Sequence, residues 1–197
     1  MKFQRIICFL LLIASALIFI YSLGMLTDLY LALKSTMRND KNYHDTKVEG
    51  SWIYYDMQPF NTEITTIALI LLGCSVLLFI TNTHSRRKYY LANYAATGIM
   101  TVASVYYTIY SISGIAYFKN QYLTTVDFEQ LRKYYEANKL NRYFIDQSNT
   151  FWFDAGYVVF GLITILSVLL VANMIWKIVL MRQESRLIKE GMEGDAV

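Results

Sequence analysis

Two histidines, two cysteines and three carboxylates beside long apolar runs are the residues from which this chain could build a reactive centre. Haem held between membrane helices needs axial ligands, most often His. His44 lies in a polar stretch and His84 at the far end of an apolar one, so the two are placed on opposite sides and read as solvated surface residues. Thiol–disulfide exchange needs a reactive pair such as Cys-x-x-Cys. Cys8 and Cys74 are single, sit in apolar sequence close to opposite membrane faces, and read as small buried hydrophobes. Asp28, Glu63 and Asp154 mark the same ends of three apolar runs. They offer a cation site at one mouth, but interfacial residues that end the runs are the simpler account. No nucleotide-binding loop, no nucleophile with a base partner and no metal-ligand cluster appears. The expectation is a chain that is not an enzyme and carries no cofactor or metal.

The strongest polar pattern is a row of hydroxyls. Tyr94, Thr97, Thr101, Ser104, Thr108 and Ser111 recur at alternating spacings of three and four, which lines them along one face of a helix. Ala92, Ala95, Ala96, Gly98 and Ala103 add small residues that let a second helix come close. In lipid such faces pack against other helices, each hydrogen bond adding about 0.6 kcal/mol. The alternative is a path for a polar solute. Tyr106, Tyr107 and Tyr110 lie off the middle of the same helix, and their hydroxyls need partners if buried.

What must position these residues follows from where charge is missing. The chain has 197 residues, of which 55% are hydrophobic, 16% aromatic and 17% charged, with a mean hydropathy of +0.31 and a net charge of +3. Soluble domains carry about 25% charged residues, so an ordinary soluble domain is disfavoured. Disorder is excluded by the abundance of aromatics. All 33 charges avoid four stretches: 6–27, 64–85, 89–118 and 155–176. About 20 apolar residues cross the hydrocarbon core as a helix, so each stretch predicts one span. The fold class expected is an all-α integral membrane protein of four transmembrane helices. No Asp, Glu, Lys or Arg lies within any span. Ion-coupled transport generally needs such a group, which turns the reading away from a coupled transporter.

Basic residues set the orientation. Lys2, Arg5, Arg86, Arg87, Lys88, Lys177, Arg182, Arg186 and Lys189 fall on one side, with 9 basic and 4 acidic residues in all. The opposite side carries 9 basic and 11 acidic residues over 72 positions. The first side is therefore expected to be cytoplasmic and to hold both termini. Trp52, Tyr54, Tyr55 and Phe60, with Phe151, Trp152, Phe153 and Tyr157, form the outer aromatic belt; Tyr89, Tyr90 and Trp176 form the inner one. The first span continues past Ala14-Ser15-Ala16 as Leu17-Ile18-Phe19-Ile20-Tyr21, so it reads as an uncleaved anchor rather than a signal peptide. The absence of an Asn-x-Ser/Thr sequon fits a bacterial plasma membrane.

The spans group into two hairpins, 1–88 and 89–197, each with an outer loop of 36 residues (28–63 and 119–154). Ile20-Tyr21-Ser22-Leu23-Gly24 is echoed by Ile109-Tyr110-Ser111-Ile112-Ser113-Gly114, and Ser75-Val76-Leu77-Leu78 by Ser167-Val168-Leu169-Leu170. The offsets, 89 and 92, nearly agree, so a direct repeat and chance similarity both remain open. In the second loop Phe128, Leu131 and Tyr135 sit at helical spacing after Asp127, which with Gln130 resembles a capping box. In the first, 29–33 is expected to prolong the first helix. The polar stretch 34–49 follows, and Gly50 to Asp56 is expected to return as an extended aromatic segment. A charged helix over 177–190, stopped by Gly191, should follow the last span.

The run Gly50-Ser51-Trp52-Ile53-Tyr54-Tyr55-Asp56 with Gln58-Pro59-Phe60-Asn61 resembles small four-span proteins of unknown role found alongside Gram-positive bacterial sugar ABC importers. The resemblance covers the overall plan and this one motif, and it implies an importer as partner. The functional expectation is a non-enzymatic accessory or scaffold subunit of a larger membrane complex. Its contacts would be lipid and membrane-protein partners or further copies of itself, with no nucleic acid. Trp52, Tyr54, Tyr55, Phe128, Leu131 and Tyr135 are the outer-loop interaction candidates. A small oligomeric channel or uncoupled transporter using the hydroxyl row is the main alternative. A sensor with ligand-binding outer loops is the second.

Overall fold

The computed structural model describes residues 2–27, 33, 36, 46–84, 91–138 and 150–194. Five helices make up most of it: α1 (Lys2–Thr27), α2 (Ile53–His84), α3 (Leu91–Thr125), α4 (Phe128–Ala137) and α5 (Phe151–Gly194). Four of them, α1, α2, α3 and α5, are long and apolar enough to cross a membrane. The bundle is apolar on its outside as well as in its core, unlike a water-soluble one. Ile6, Phe9, Ile13, Leu17 and Ile20 of α1 face outward, whereas Ser15, Ser22, Ser75, Ser104, Ser111 and Ser167 lie inside. Outward apolar side chains with inward hydroxyls suit a hydrocarbon solvent. The chain is a multi-pass membrane protein.

The long helices form a ring in which α1 packs on α2, α2 on α3, α3 on α5, and α5 back on α1. Each neighbour runs antiparallel to the next. Phe9, early in α1, meets Phe79, late in α2. Asn61, early in α2, donates to the carbonyl of Met25 at the other end of α1. Phe60 of α2 stacks on Phe118 of α3, and Tyr122 of α3 on Phe153 of α5. Tyr21 of α1 stands between Trp152 and Phe160 of α5.

Burial follows the same register in the two halves. Gln4, Ile7, Cys8, Leu11, Ser15 and Ser22 of α1 are buried, as are Asn93, Ala96, Thr97, Met100, Ser104 and Ser111 of α3, each 89 positions on. Asn61, Ile64, Ala68, Leu71, Ser75 and Leu78 of α2 match Phe153, Gly156, Phe160, Ile163, Ser167 and Leu170 of α5, each 92 positions on.

Three boundaries differ from expectation. The segment 50–56 is not extended: a turn over 48–52 leads into α2 at Ile53. Ile53, Met57, Phe60, Asn61 and Ile64 are all buried, so one helical face continues well outside the charge-free run. Asp56 in the first turn favours the helix electrostatically. Helix α3 passes Lys119 and continues to Thr125, because Ile115 and Tyr122 keep it packed on the bundle. Helix α5 runs without a break from the span through Lys177 to Gly194, so Gly191 does not stop it. Glycine weakens a helix by only about 1 kcal/mol, less than a long preceding helix supplies in continuity. The expected extension over 29–32 and most of the stretch 34–45 lie outside the described residues, as do His44, Asp28 and Arg86 to Tyr90.

Candidate functional site

The hydroxyl row of α3 faces the bundle. Thr97, Ser104, Thr108 and Ser111 are buried, and Tyr94 and Thr101 are half-buried. Most of the row is satisfied by carbonyls. Thr97 Oγ1 donates to Asn93 O at 2.8 Å, Thr101 Oγ1 to Thr97 O at 2.8 Å, and Ser104 Oγ to Met100 O at 2.6 Å. These bonds stay within α3 and leave the outer side of each oxygen for packing. Thr108 is different. Its hydroxyl reaches Phe160 O on α5 at 3.4 Å and accepts from Thr164 Oγ1 at 3.0 Å, while Thr164 also donates to Phe160 O at 3.0 Å. This is the seam between α3 and α5. In the interior, Ser15 Oγ, Tyr21 Oη, Asn61 Oδ1, Ser111 Oγ and Ser167 Oγ have no partner.

Close approach around these groups depends on glycine. A Cβ on Gly24 would lie 2.6 Å from Trp152 Cη2, and one on Gly156 2.5 Å from Tyr21 Oη. One on Gly114 would overlap the Phe60 ring. Tyr21 and Trp152 have ring centroids 6.3 Å apart at 41°, and Tyr110 and Phe60 lie 6.3 Å apart at 45°. The two tyrosine–aromatic contacts thus repeat across the halves, each beside a glycine of α1 or α3. At the offset of 89 Gly24 falls on Ser113, so Gly114 stands one position beyond strict equivalence, and only packing shows what each glycine admits.

The helix ends opposite the N-terminus carry the second cluster. Tyr110 Oη bonds Glu63 on the exposed surface. Lys119 Nζ pairs with Asp154 Oδ1 at 2.6 Å, and Thr150 Oγ1 donates to Asp154 Oδ2 at 2.6 Å. Glu63 and Asp154 therefore meet partners on two different helix seams, and Asp28 lies outside the described residues. The Phe9–Phe79 contact also revises the cysteines. It places Cys8 about six residues, roughly 9 Å along the axis at 1.5 Å per residue, from the level of Cys74. Cys74 therefore lies level with about Ala14, near the middle of α1, and not at the face opposite Cys8. Both are free.

The outer-loop candidates split into two kinds. Trp52, Tyr54 and Tyr55 are half-buried where the chain enters α2, and Tyr54 stacks edge-on against Tyr55. Phe128, Leu131 and Tyr135 are buried at 6%, 0% and 5% exposure, so in this chain they hold α4 down and present no open face. Phe128 packs edge-on against Tyr122 of α3. The capping box is made in part. Asp127 caps α4 by accepting from Gln130 N at 2.9 Å, but the Gln130 side chain turns to Glu49 instead of to Asp127.

The chain matches no protein-family model, and no curated protein or solved structure matches it. What it does must therefore be argued from these groups. Among the described residues no three His, Cys, Asp or Glu side chains come together to hold a metal ion.

Proposed function

We propose that this chain is a non-enzymatic accessory subunit, a scaffold within a larger membrane complex. The observation that supports the reading is the use of the hydroxyl row. Thr97, Thr101 and Ser104 direct their protons to carbonyls of α3 itself and Thr108 to Phe160 of α5, and the row is buried or half-buried, which supports packing over a solute path. Among the described residues, Glu49 before α2 bonds Asp127 and Gln130 at the start of α4, which ties the two hairpins together at this end. Both termini and the charged end of α5 lie in the cytoplasm in this reading, which follows the distribution of Lys and Arg. The two hairpins are taken as one unit repeated in direct orientation, supported by the shared burial register and the paired glycine–aromatic contacts. The resemblance of 50–61 to proteins beside sugar ABC importers makes a bacterial solute importer the first complex to test.

One observation favours the second reading, a small oligomeric channel or uncoupled transporter. Ser15, Ser111 and Ser167 keep unpartnered hydroxyls inside the bundle, and such groups are rarely left without hydrogen bonds. Affinity purification of the full chain from its native membranes in mild detergent separates the two. Co-purifying permease or ATPase subunits support the accessory role. A homo-oligomer that moves solute across reconstituted liposomes overturns it.

A further inference from the structure

At the end of the bundle that carries the N-terminus, α1 and α5 leave a groove of about 630 Å³ between them. Its walls are mostly apolar, with Leu169, Ala172 and Trp176 along α5 below the level of Lys177. Gln4 lies in its floor at 5% exposure. The Gln4 Oε1 accepts from Lys177 Nζ at 3.4 Å, but Nε2 has no acceptor at all. A buried amide donor without an acceptor is destabilising, so the site favours an added acceptor. The ammonium of Lys177 beside it makes this end of the groove positive and rich in donors. Asn173, one turn before Lys177, adds a further amide to the same wall. Glu184 also borders the groove, two turns beyond Lys177 and roughly 10 Å further along the axis.

An anion with at least two acceptor oxygens satisfies the Gln4 amide and the Lys177 charge together. The apolar wall selects among anions. Lys177 stands where the charge-free run 155–176 ends, which is the level of lipid phosphates, and Trp176 is an interfacial residue facing outward at 65% exposure. Leu169 and Ala172 extend the groove from that level into the apolar span. We propose that the α1–α5 groove binds one phospholipid, its phosphate held by Lys177 and Gln4 and an acyl chain lying along Leu169, Ala172 and Trp176. A free phosphate would meet the donors and leave the apolar wall unused.

The test uses the full chain, purified from membranes and washed in detergent until boundary lipid is removed, with bound phospholipid counted by native mass spectrometry. The wild type should retain one phospholipid, resistant to millimolar inorganic phosphate. K177Q should lower occupancy by about tenfold or more, and so should A172F, which fills the groove without touching a charge. Phospholipids brominated in the acyl chain should quench the part of the tryptophan emission that W176F removes. That last measurement needs no change in the groove's polar groups, so it stands even if K177Q fails to fold. Loss of the lipid to inorganic phosphate, equal retention by wild type and A172F, or no quenching of the Trp176 emission would each overturn the assignment.

Discussion

The backbone N–H of Glu49 donates to Oε1 of Gln130 at 2.8 Å, although 81 residues separate them. The carbonyl of Glu49 in turn accepts from Asp127 N at 3.1 Å. One residue before α2 therefore has both backbone groups met by the start of α4. Lys47 adds a bond from Nζ to Tyr134 Oη at 3.3 Å and lies over the same ring. The turn that launches α2 and the cap that launches α4 are a single structure.

That interlock predicts a separation between two changes at one site. Gln130→Ala removes the acceptor for Glu49 N–H and should lower stability by about 1 kcal/mol or less, since the bond is exposed. Asp127→Ala removes the α4 cap and should cost about 1 kcal/mol. Hydrogen exchange distinguishes them. The Glu49 amide should exchange faster in Gln130→Ala, and unchanged protection there would count against the interlock.

Gly50 should be the least replaceable glycine among those described. Its φ of 77° lies in the left-handed region, which costs other residues roughly 1–2 kcal/mol. A Cβ there would also run into the Thr125 carbonyl, which is backbone and cannot swing aside. Gly50→Ala should therefore lower the melting temperature in detergent markedly. Gly73→Ala and Gly98→Ala serve as contrast, because both are helical with open space around a Cβ. They should be neutral or stabilising by up to about 1 kcal/mol.

Gly114→Ala and Gly24→Ala should each destabilise by about 1–3 kcal/mol, the usual range for overpacking. The added methyl meets Phe60 in the first case and Trp152 in the second. Rescue should be specific to the pair. Phe60→Leu should recover part of the loss in Gly114→Ala and none of it in Gly24→Ala, as read from thermal unfolding of the double variants. Equal rescue of both would mean that the glycines are not acting through these aromatic neighbours.

The hydroxyl row divides into two classes of side chain with different expected costs. Thr108→Val breaks the bonds to Phe160 and Thr164 on α5 and should cost about 0.6 kcal/mol. Thr101→Val breaks only a bond to its own helix and should cost less. If the row is packing, the triple change of Thr101, Ser104 and Thr108 to Val should weaken co-purification of any partner complex. Retained assembly with loss of solute flux in liposomes would instead identify a path.

Charge distribution together with hydropathy located four candidate spans, because a helix in lipid tolerates almost no charge. The α4 helix was legible for the same local reason: Phe128, Leu131 and Tyr135 recur at helical spacing, and Asp127 stands where a cap belongs. Helix ends were less legible. Lys119 ends an apolar run without ending α3, and the buried face Ile53, Met57, Phe60 carries α2 outward from the span, since ends are set by packing beyond the membrane. The destination of each polar side chain was not legible at all. Spacing placed Thr101 and Thr108 on one face, but only the approach of α5 makes Thr108 a bond between helices. Likewise Gln130 serves Glu49 rather than Asp127, and Gln4 meets Lys177 from 173 residues away. Those pairings depend on how four helices close into a ring, a relation between distant segments that no local spacing carries.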